Sequence, residues 1–362
     1  MMRHHRVFAT ACAAAICAGG VAAASSAAAS TAVSRSAQIA APRAGGPTLN
    51  IPAVNHPDVK GHKLEIVWEG TPEASQVTEI LTAEILKQWG ANVSFQFASG
   101  TAIAYADMLH GGAFLADSMV DVLNGFDTGV PLDVVGLAQP KQDYVFVARP
   151  GISSLTQLQG KTVGVLDMQG INGAQLLQVL ALAHLKQSQV TIDQAGGQSE
   201  RLAALLSGRL QATMLSHQAL TQLSSNYKVL YDYTKSDPTL YDDMWSSSAN
   251  FIKANSGDVV ALNEATLLAF KIFNSKANDN EMFNVVHSID PALSKSSTIS
   301  YFDQMRTLDY APNGSVMNAA ALTTQEKQYK AVGAITASPP LSDWAYLKFG
   351  TKALSLLGSA AK

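Results

Sequence analysis

The sequence predicts an α/β fold with two lobes, each a mostly parallel sheet flanked by helices. Strand-like and helix-like segments alternate from about residue 63 to residue 233, which is typical of parallel βαβ units. The chain has 362 residues, of which 47% are hydrophobic and 15% charged, which fits an ordered globular protein with about two such units. From Ser246 onwards the pattern is mostly helical, which predicts extra helices at the C-terminal end.

The first unit is predicted to begin with a strand, a helix and a second strand. Residues Leu64–Trp68 alternate in the manner of a strand, and apolar side chains recur at helical spacing behind them, up to a helix stop at Gly90. The further elements predicted for this unit are a strand over 93–97, a helix from 101 to about 109, and strands over 133–137 and 144–148.

The second unit is predicted to run from about Gly151 to Tyr233. A helix turn ends at Gly160, and a strand over 161–166 follows it directly. Further strands are predicted at 190–192, 210–215 and 228–230, with helices that start at Asn172 or Gly173 and at Ser199. The C-terminal part is predicted to hold helices over 258–274, 279–288, 300–308 and 324–332.

The N-terminus is typical of a secretory signal peptide. Arg3 and Arg6 precede an apolar, Ala-rich run over 7–24, and small residues precede Ser25. A membrane-anchoring helix is the alternative interpretation. Both cysteines lie within this segment, so the mature chain would have no thiol and no disulfide. Its removal takes away two arginines and no acidic residue, which changes the net charge from −3 to −5.

Three stretches resemble a known family. Ser154–Val165 reads SLTQLQGKTVGV, Arg201–Ala212 reads RLAALLSGRLQA, and Ala249–Asn255 reads ANFIKAN. They resemble bacterial solute-binding proteins that capture alkanesulfonates, nitrate, taurine or thiamine-pyrimidine precursors for ABC importers. The sequence departs from the family pattern at Gln211, where an Asp is usual, and at 256–257, where Ser-Gly replaces Pro-Glu. These motifs mark fold and register and leave the ligand open.

The resemblance implies a periplasmic-binding-protein fold of type II with extra C-terminal helices. The expected organisation is a signal peptide over 1–24, a flexible leader over 25–61, a first lobe formed by 62–148 and 238–362, and a second lobe over 149–237. The expected hinges lie near 148–150 and 231–237.

The resemblance also implies a function. The chain is expected to be a monomeric receptor in the periplasm or another extracytoplasmic compartment, which delivers a small organic solute to an ABC permease in the inner membrane. It is expected to have no catalytic residues, no metal and no cofactor. A periplasmic ligand-sensing subunit and a secreted enzyme on the same fold are the alternatives. The mildly acidic balance disfavours a nucleic-acid partner, which would need a basic face.

Candidate ligand contacts follow from the position of loops in the predicted sheets. In open parallel sheets, ligands bind outside the carboxyl ends of the strands, where helix N-termini point outward. That rule selects Trp68, Glu69, Thr71, Ser99, Gly100, Thr101, Asp117, Ser118, Asn172, Ser216 and His217. Simpler roles remain open for several of them. Ser99, Thr101 and Asn172 could cap helices, and Gly100 could serve a tight turn. His217 could lie on the surface and Trp68 in the core.

The charge of these loops favours some ligands over others. Glu69, Glu73, Asp117 and Asp167 are acidic, and no Lys or Arg lies in the selected loops. The sequence therefore favours a neutral, amine-bearing or heteroaromatic solute over a sulfonate or nitrate. It contains no G-x-S-x-G, H-E-x-x-H or P-loop motif that would indicate an enzyme.

Overall fold

Two sheets, each covered by helices, form the body of the protein. The computed structural model describes residues 37–39, 49–70 and 73–362. The strands are β1 (Ala37–Ile39), β2 (Lys63–Glu69), β3 (Asn92–Ala98), β4 (Phe114–Ser118), β5 (Asp133–Leu137), β6 (Tyr144–Ala148), β7 (Thr162–Val165), β8 (Thr191–Gln194), β9 (Ala212–Ser216), β10 (Lys228–Asp232) and β11 (Asp243–Ser247).

The strand order confirms the predicted α/β architecture with two sheets. The first sheet has the order β1-β3-β2-β4-β11-β5 and the second has the order β10-β6-β9-β7-β8. Both sheets are mixed in direction. The βαβ strands β2, β3 and β4 are parallel in the first sheet, as are β7, β8 and β9 in the second. Strands β11 and β6 run antiparallel to their neighbours because each carries the chain from one sheet into the other.

The chain crosses twice between the sheets. Residues 138–143 lead from β5 to β6, and residues 233–242 lead from β10 to β11. Strand β6, which precedes the hinge expected at 148–150, is hydrogen-bonded to β9 within the second sheet. Residues Tyr144–Ala148, which were expected to belong to the first lobe, thus form a strand of the second sheet. The second crossing overlaps the expected hinge at 231–237.

Helices cover both sheets and continue beyond them at the C-terminal end. They are α1 (Val77–Gln88), α2 (Thr101–Leu109), α3 (Met119–Thr128), α4 (Ile171–Leu182), α5 (Gln198–Ser207), α6 (Tyr233–Ser236), α7 (Ala249–Ala254), α8 (Ser256–Phe273), α9 (Asp279–Ile289), α10 (Lys295–Thr307), α11 (Ala319–Ala331) and α12 (Lys348–Leu357). The predicted helices near 258–274, 279–288, 300–308 and 324–332 correspond to α8 to α11.

The largest hydrophobic core lies on one face of the first sheet. Apolar side chains of α1, α8, α10 and α12 pack there against Ile66, Trp68 and Phe95. A smaller cluster that includes Tyr105 of α2 covers the opposite face. The second sheet packs α4 on one face and α5 on the other. Each sheet is therefore enclosed on both faces, which leaves the strand ends as the places where polar groups can converge.

The ordered body begins earlier than the expected residue 62. Strand β1 pairs antiparallel with β3, and Leu49 and Val59 are buried in the core of the first sheet. Their apolar side chains account for this early order within the expected leader. The expected signal peptide lies outside the described residues. Among the described helices, none combines the length and the apolar character needed to cross a bilayer.

Candidate functional site

A cavity of about 90 Å³ lies between the two sheets. From the first sheet it is lined by residues at the carboxyl ends of β2 and β4 and at the start of the antiparallel β11. From the second sheet it is lined by residues at the start of β6, at the end of β9 and at the first turns of α4 and α5. Both crossings between the sheets also reach it, through Asp143 and Asp242. We call this space the central cavity.

Carboxylates dominate the wall of the central cavity. Asp117 ends β4, and Asp121 lies in the first turn of α3, where its carboxylate accepts from the backbone N–H and hydroxyl of Ser118. Ser118 in turn caps α3, so this helix start fixes both side chains. The acidic side chains that line the cavity are Glu69, Glu73, Asp117, Asp121, Asp143, Asp242 and Asp243.

The Thr101 hydroxyl joins three carboxylates from the two sheets. It lies 3.1 Å from Glu69 Oε2, 3.0 Å from Asp121 Oδ1 and 3.2 Å from Asp167 Oδ2. Asp167 belongs to the second sheet's side and is held by the backbone N–H groups of Gln169 and Gly170. A hydroxyl has one proton to donate, so it satisfies only one of the three carboxylates at a time.

The wall contributed by the second sheet is polar and includes one cation. The guanidinium of Arg201 donates to the backbone carbonyls of Gly196, at 2.8 Å, and Met214, at 3.3 Å. The Gln198 side chain accepts from Ser216 N–H at 2.5 Å and donates to Glu73 of the opposite wall. Gln198 therefore bridges the two sides of the cavity.

A buried network connects the crossings to both sheets. His217 Nδ1 lies 2.6 Å from Asp143 Oδ1, and its Nε2 lies 3.4 Å from Asp232 Oδ2. The hydroxyl of Tyr301 in α10 donates to Asp143 Oδ2 at 2.5 Å, and Asp143 N–H donates to Asp242 at 3.3 Å. Burial lowers the pKa of His217, but its hydrogen bonds to Asp143 and Asp232 outweigh that effect and raise the pKa to about 9. The imidazole is therefore charged at neutral pH.

Burial and mutual repulsion raise the pKa values of the carboxyls in the cavity. Burial raises the pKa of Glu73, Asp121 and Asp243 to about 7, with a further rise for Asp121 from Asp167 and for Asp243 from Asp121. Burial raises the pKa of Glu69, Asp117 and Asp242 well above the usual range, and neighbouring carboxylates add to it. In the empty cavity, protons therefore reduce the negative charge.

A wider space of about 530 Å³ opens beside the central cavity. Its lining includes Tyr105 and Leu109 of α2, Val130 after α3, and Met168 from the second sheet's side. Asp121 lines both spaces. We call this space the side groove.

Comparison with known proteins identifies the family. The model of the family described as "NMT1/THI5 like" matches residues 86–275, which is more than half of the chain. The chain belongs to the NMT1/THI5-like family. No curated protein sequence matches it significantly.

Solved structures share the fold at low sequence identity. The periplasmic nitrate-binding protein NrtA from Synechocystis has 10% identity and a TM-score of 0.68, with 85% of this chain and 92% of that chain covered. The ligand-binding component of an ABC-type import system from Staphylococcus aureus, with zinc bound, has 12% identity and a TM-score of 0.63, with coverage of 80% and 98%. The desulfurization enzyme DSZB has 14% identity and a TM-score of 0.54, with coverage of 81% and 99%. The two-lobed fold of this NMT1/THI5-like chain therefore occurs in both binding proteins and an enzyme.

The structure brings part of the expected site together. Glu69, Asp117, Ser118, Asn172 and Ser216 line the central cavity. Thr101 is the first residue of α2, lines the side groove and reaches the central cavity through its three carboxylate contacts. Thr71 lies outside the described residues.

Four of the expected residues do not line the central cavity. Trp68 is fully buried in the core and stacks on Phe95, with ring centroids 4.9 Å apart. Ser99 is exposed, and Gly100 occupies the N-cap position of α2. His217 is buried against Asp143 and Asp232 and serves the crossings. The open alternative of a core position for Trp68 thus matches the structure, whereas the surface alternative for His217 is wrong.

Several cavity residues were missed from the sequence. Asp121 was missed because strand β4 and helix α3 were not predicted, and Asp242 and Asp243 because β11 was not predicted. Arg201 lies within a stretch that was used only as a fold marker. The pair Asp242-Asp243, directly before an apolar Met-Trp dipeptide, is a weak strand-start signal that was available in the sequence.

Proposed function

We propose that this chain is an extracytoplasmic receptor that binds a small organic solute in the central cavity and delivers it to an ABC-type permease. The observation that supports this most is the enclosure of a polar cavity by side chains from both sheets, which the described part of the chain joins by only two crossings. A cavity of this kind can open and close by hinge motion at the crossings.

We propose lobe boundaries within the crossings. The first lobe would comprise residues 49–137 and 243–362, the second lobe residues 144–232, and the crossings 138–143 and 233–242 would be the hinges. The solute would first contact Glu69, Asp117 and Ser118 on the first lobe, and Asn172 and Ser216 on the second lobe would then stabilise the closed form. The bound solute shifts the population towards the closed form only as far as it binds that form more tightly than the open form.

We propose that the ligand is not nitrate, the anion bound by the neighbour NrtA. Seven carboxylates line the cavity, whereas Arg201 is the only Lys or Arg among its described lining residues. An inorganic anion would have to approach this wall against its negative charge. A solute with nitrogen donors, or a neutral heteroaromatic solute, fits the wall better.

The test of the receptor function is a solute screen combined with a measurement of closure. Thermal shift with amines, amidines, pyrimidines, aromatic acids and sulfonates would detect a binder, since a ligand at a hundred times its Kd adds about 2.7 kcal/mol of stability. Native mass spectrometry of freshly purified protein adds solutes that copurify. Small-angle scattering should then show a smaller radius of gyration with the bound solute. No binder in the screen or the spectra, or no compaction with any binder, contradicts the proposal.

Two other functions can be separated by direct assays. A periplasmic sensing subunit would use the same cavity, but the loaded protein would dock on a receptor kinase, whereas a transport receptor would stimulate the ATPase of an importer. An enzyme is a second candidate because Glu73, Asp121 and Asp243, with pKa values of about 7, suit proton transfer at neutral pH, and DSZB shares the fold. We propose binding without chemistry, which predicts that the solute is recovered unchanged by mass spectrometry.

A further inference from the structure

The central cavity contains more acidic side chains than basic ones. The carboxylates of Asp117, Asp121 and Asp243 converge from the ends of neighbouring strands and from α3. Arg201 uses its Nε and one Nη to hold backbone carbonyls of its own lobe. The first turns of α4 and α5 add partial positive charge from backbone N–H groups. The charged His217 pairs with Asp143, one of the seven acidic side chains, so among the described lining residues the other six face Arg201 and these helix starts alone.

Within the described part of the chain, three carboxylate oxygens at this wall lack a hydrogen-bond donor: Glu69 Oε1 and one oxygen each of Asp117 and Asp242. Asp117 is 3% exposed, and its Oδ2 accepts from the Tyr105 hydroxyl at 3.1 Å, but its Oδ1 has no partner among the described residues. Asp242 is 2% exposed, and its Oδ2 accepts from Asp143 N–H, but its Oδ1 also has no partner there. Buried polar atoms normally have a partner, since an unpaired one is costly. All three residues line the central cavity, where a ligand can supply the donors.

The carboxylates around Thr101 show the same shortage of donors. Glu69 and Asp121 on the first lobe and Asp167 on the second lobe share one hydroxyl proton. Closure of the lobes brings these carboxylates together, so the closed form without a ligand contains repulsion between like charges. A ligand that contributes positive charge at this point removes the repulsion and favours closure.

We propose that the ligand carries a positively charged nitrogen group, an ammonium, amidinium or guanidinium, and that the unpaired oxygens of Asp117 and Asp242 accept its N–H bonds. This inference rests on the proposed receptor function. Charge-assisted hydrogen bonds to carboxylates are about twice as strong as neutral ones, so the site discriminates by charge. The volume of about 90 Å³ limits the part of the ligand held in the closed central cavity to a few non-hydrogen atoms. A larger ligand has room to continue into the side groove, which adjoins the cavity at Asp121.

The test compares three probes of nearly the same shape and different charge. Acetamidinium, acetamide and acetate carry charges of +1, 0 and −1 on the same two-carbon frame. Binding is measured on the full protein by NMR chemical-shift changes at millimolar probe concentrations. We expect acetamidinium to bind at least tenfold more tightly than acetamide, and acetate not to bind.

Two substitutions and a control assign the acceptors. Asp117→Asn and Asp242→Asn each remove a charge and keep the shape, and each should weaken acetamidinium binding at least tenfold. Neither should lower the melting temperature of the empty protein, because burial already favours the neutral form of both carboxyls there and the amide keeps their shape; a purely structural role would lower it. The control is Asp58→Asn, since Asp58 is an exposed acid whose side chain accepts from Lys60 N–H outside the cavity. It should change neither quantity.

The outcomes separate this inference from the receptor function. Equal or tighter binding of acetamide or acetate overturns the inference, as does unchanged acetamidinium affinity in both cavity variants. Displacement of acetamidinium by low millimolar calcium or magnesium chloride overturns it in favour of a metal ion. An uncharged or anionic solute found by the broad screen overturns it and leaves the receptor function standing. If neither the screen nor the three probes yields a binder, the receptor function itself fails.

Discussion

Binding of a cation in the central cavity should release protons, so that its affinity rises with pH. The perturbation is a change of pH from 6 to 8 during titration with acetamidinium, which keeps its charge across this range. Burial raises the pKa of Glu73, Asp121 and Asp243 to about 7, so in the empty protein these groups are partly protonated at neutral pH. A bound cation favours their ionised forms and lowers their pKa values.

The magnitude follows from these pKa values. At pH 7 each of the three carboxyls binds about half a proton, so a cation that keeps all three ionised expels about 1.5 protons from them, and ionisation of Asp117 and Asp242 adds to that number. A single carboxyl with a pKa of about 7 is ionised in about 9% of molecules at pH 6 and about 91% at pH 8. Each carboxyl that the cation ionises therefore makes binding about tenfold tighter over this interval, which is about 1.4 kcal/mol.

The assay is an NMR titration at pH 6, 7 and 8, and the slope of log Kd against pH gives the number of protons released. In Asp121→Asn the slope at pH 7 should fall by about half a proton, whereas Asp58→Asn should leave it unchanged. An affinity that is constant between pH 6 and 8, or that weakens as the pH rises, would refute the reasoning. The same pKa values predict how the stability of the empty protein changes with pH. Between about pH 4 and 7 the folded state binds more protons than the unfolded state. The free energy of unfolding should therefore fall as the pH rises through that range.

Three further predictions concern closure, the crossings and the core. A Cβ added at Gly170 would lie 2.6 Å from Asp121 Oδ1 on the opposite lobe, so Gly170→Ala should weaken acetamidinium binding and raise the radius of gyration measured by scattering with the probe present. Gly257→Ala, whose Cβ meets only Pro57 at 3.8 Å, should do neither, and equal effects of both would contradict the reasoning. His217→Ala leaves the buried Asp143 without its cationic partner and should lower the free energy of unfolding by about 3–5 kcal/mol, measured by urea denaturation at pH 7. The control His110→Ala, at an exposed histidine, should change it little. A decrease below about 1 kcal/mol for His217→Ala would count against a structural role. Trp68→Ala should lower the free energy of unfolding by about 3–5 kcal/mol while the folded fraction still binds acetamidinium, and a selective loss of binding would restore the ligand-contact role expected from the sequence.

The fold was predictable from local patterns wherever the elements were amphipathic or followed clear punctuation. The strand after Gly160 illustrates this: a glycine with φ of +69° ends the preceding turn, and a β-branched run follows it at once. Strand β4 was missed because all five of its residues are buried, so no alternation of polar and apolar side chains reveals it. Strand β11 was missed because its partners β4 and β5 are remote in sequence, and only the assembled sheet defines its position.

The site was predictable only in part, for related reasons. Glu69 and Asp117 follow from the rule that ligands bind at the carboxyl ends of strands, and they line the cavity. Trp68 precedes Glu69 by one residue, and the alternation of a strand places its side chain on the opposite face with Leu64 and Ile66, which are buried in the core. Asp242 and Arg201 reach the cavity through a chain crossing and through a helix of the other lobe. Neither position follows from local sequence.

The central place of β11 in the first sheet sets the order in which this protein can fold during synthesis. Asp243 pairs with Ser118 across about 125 residues of sequence, and β11 separates β4 from β5 in the finished sheet. A growing chain can therefore assemble the second sheet, which is continuous from 144 to 232, before the first sheet is complete. Pairings this remote are slow to form. The edges of β4 and β5 that β11 covers in the finished sheet therefore stay unpaired until residue 247 has been made.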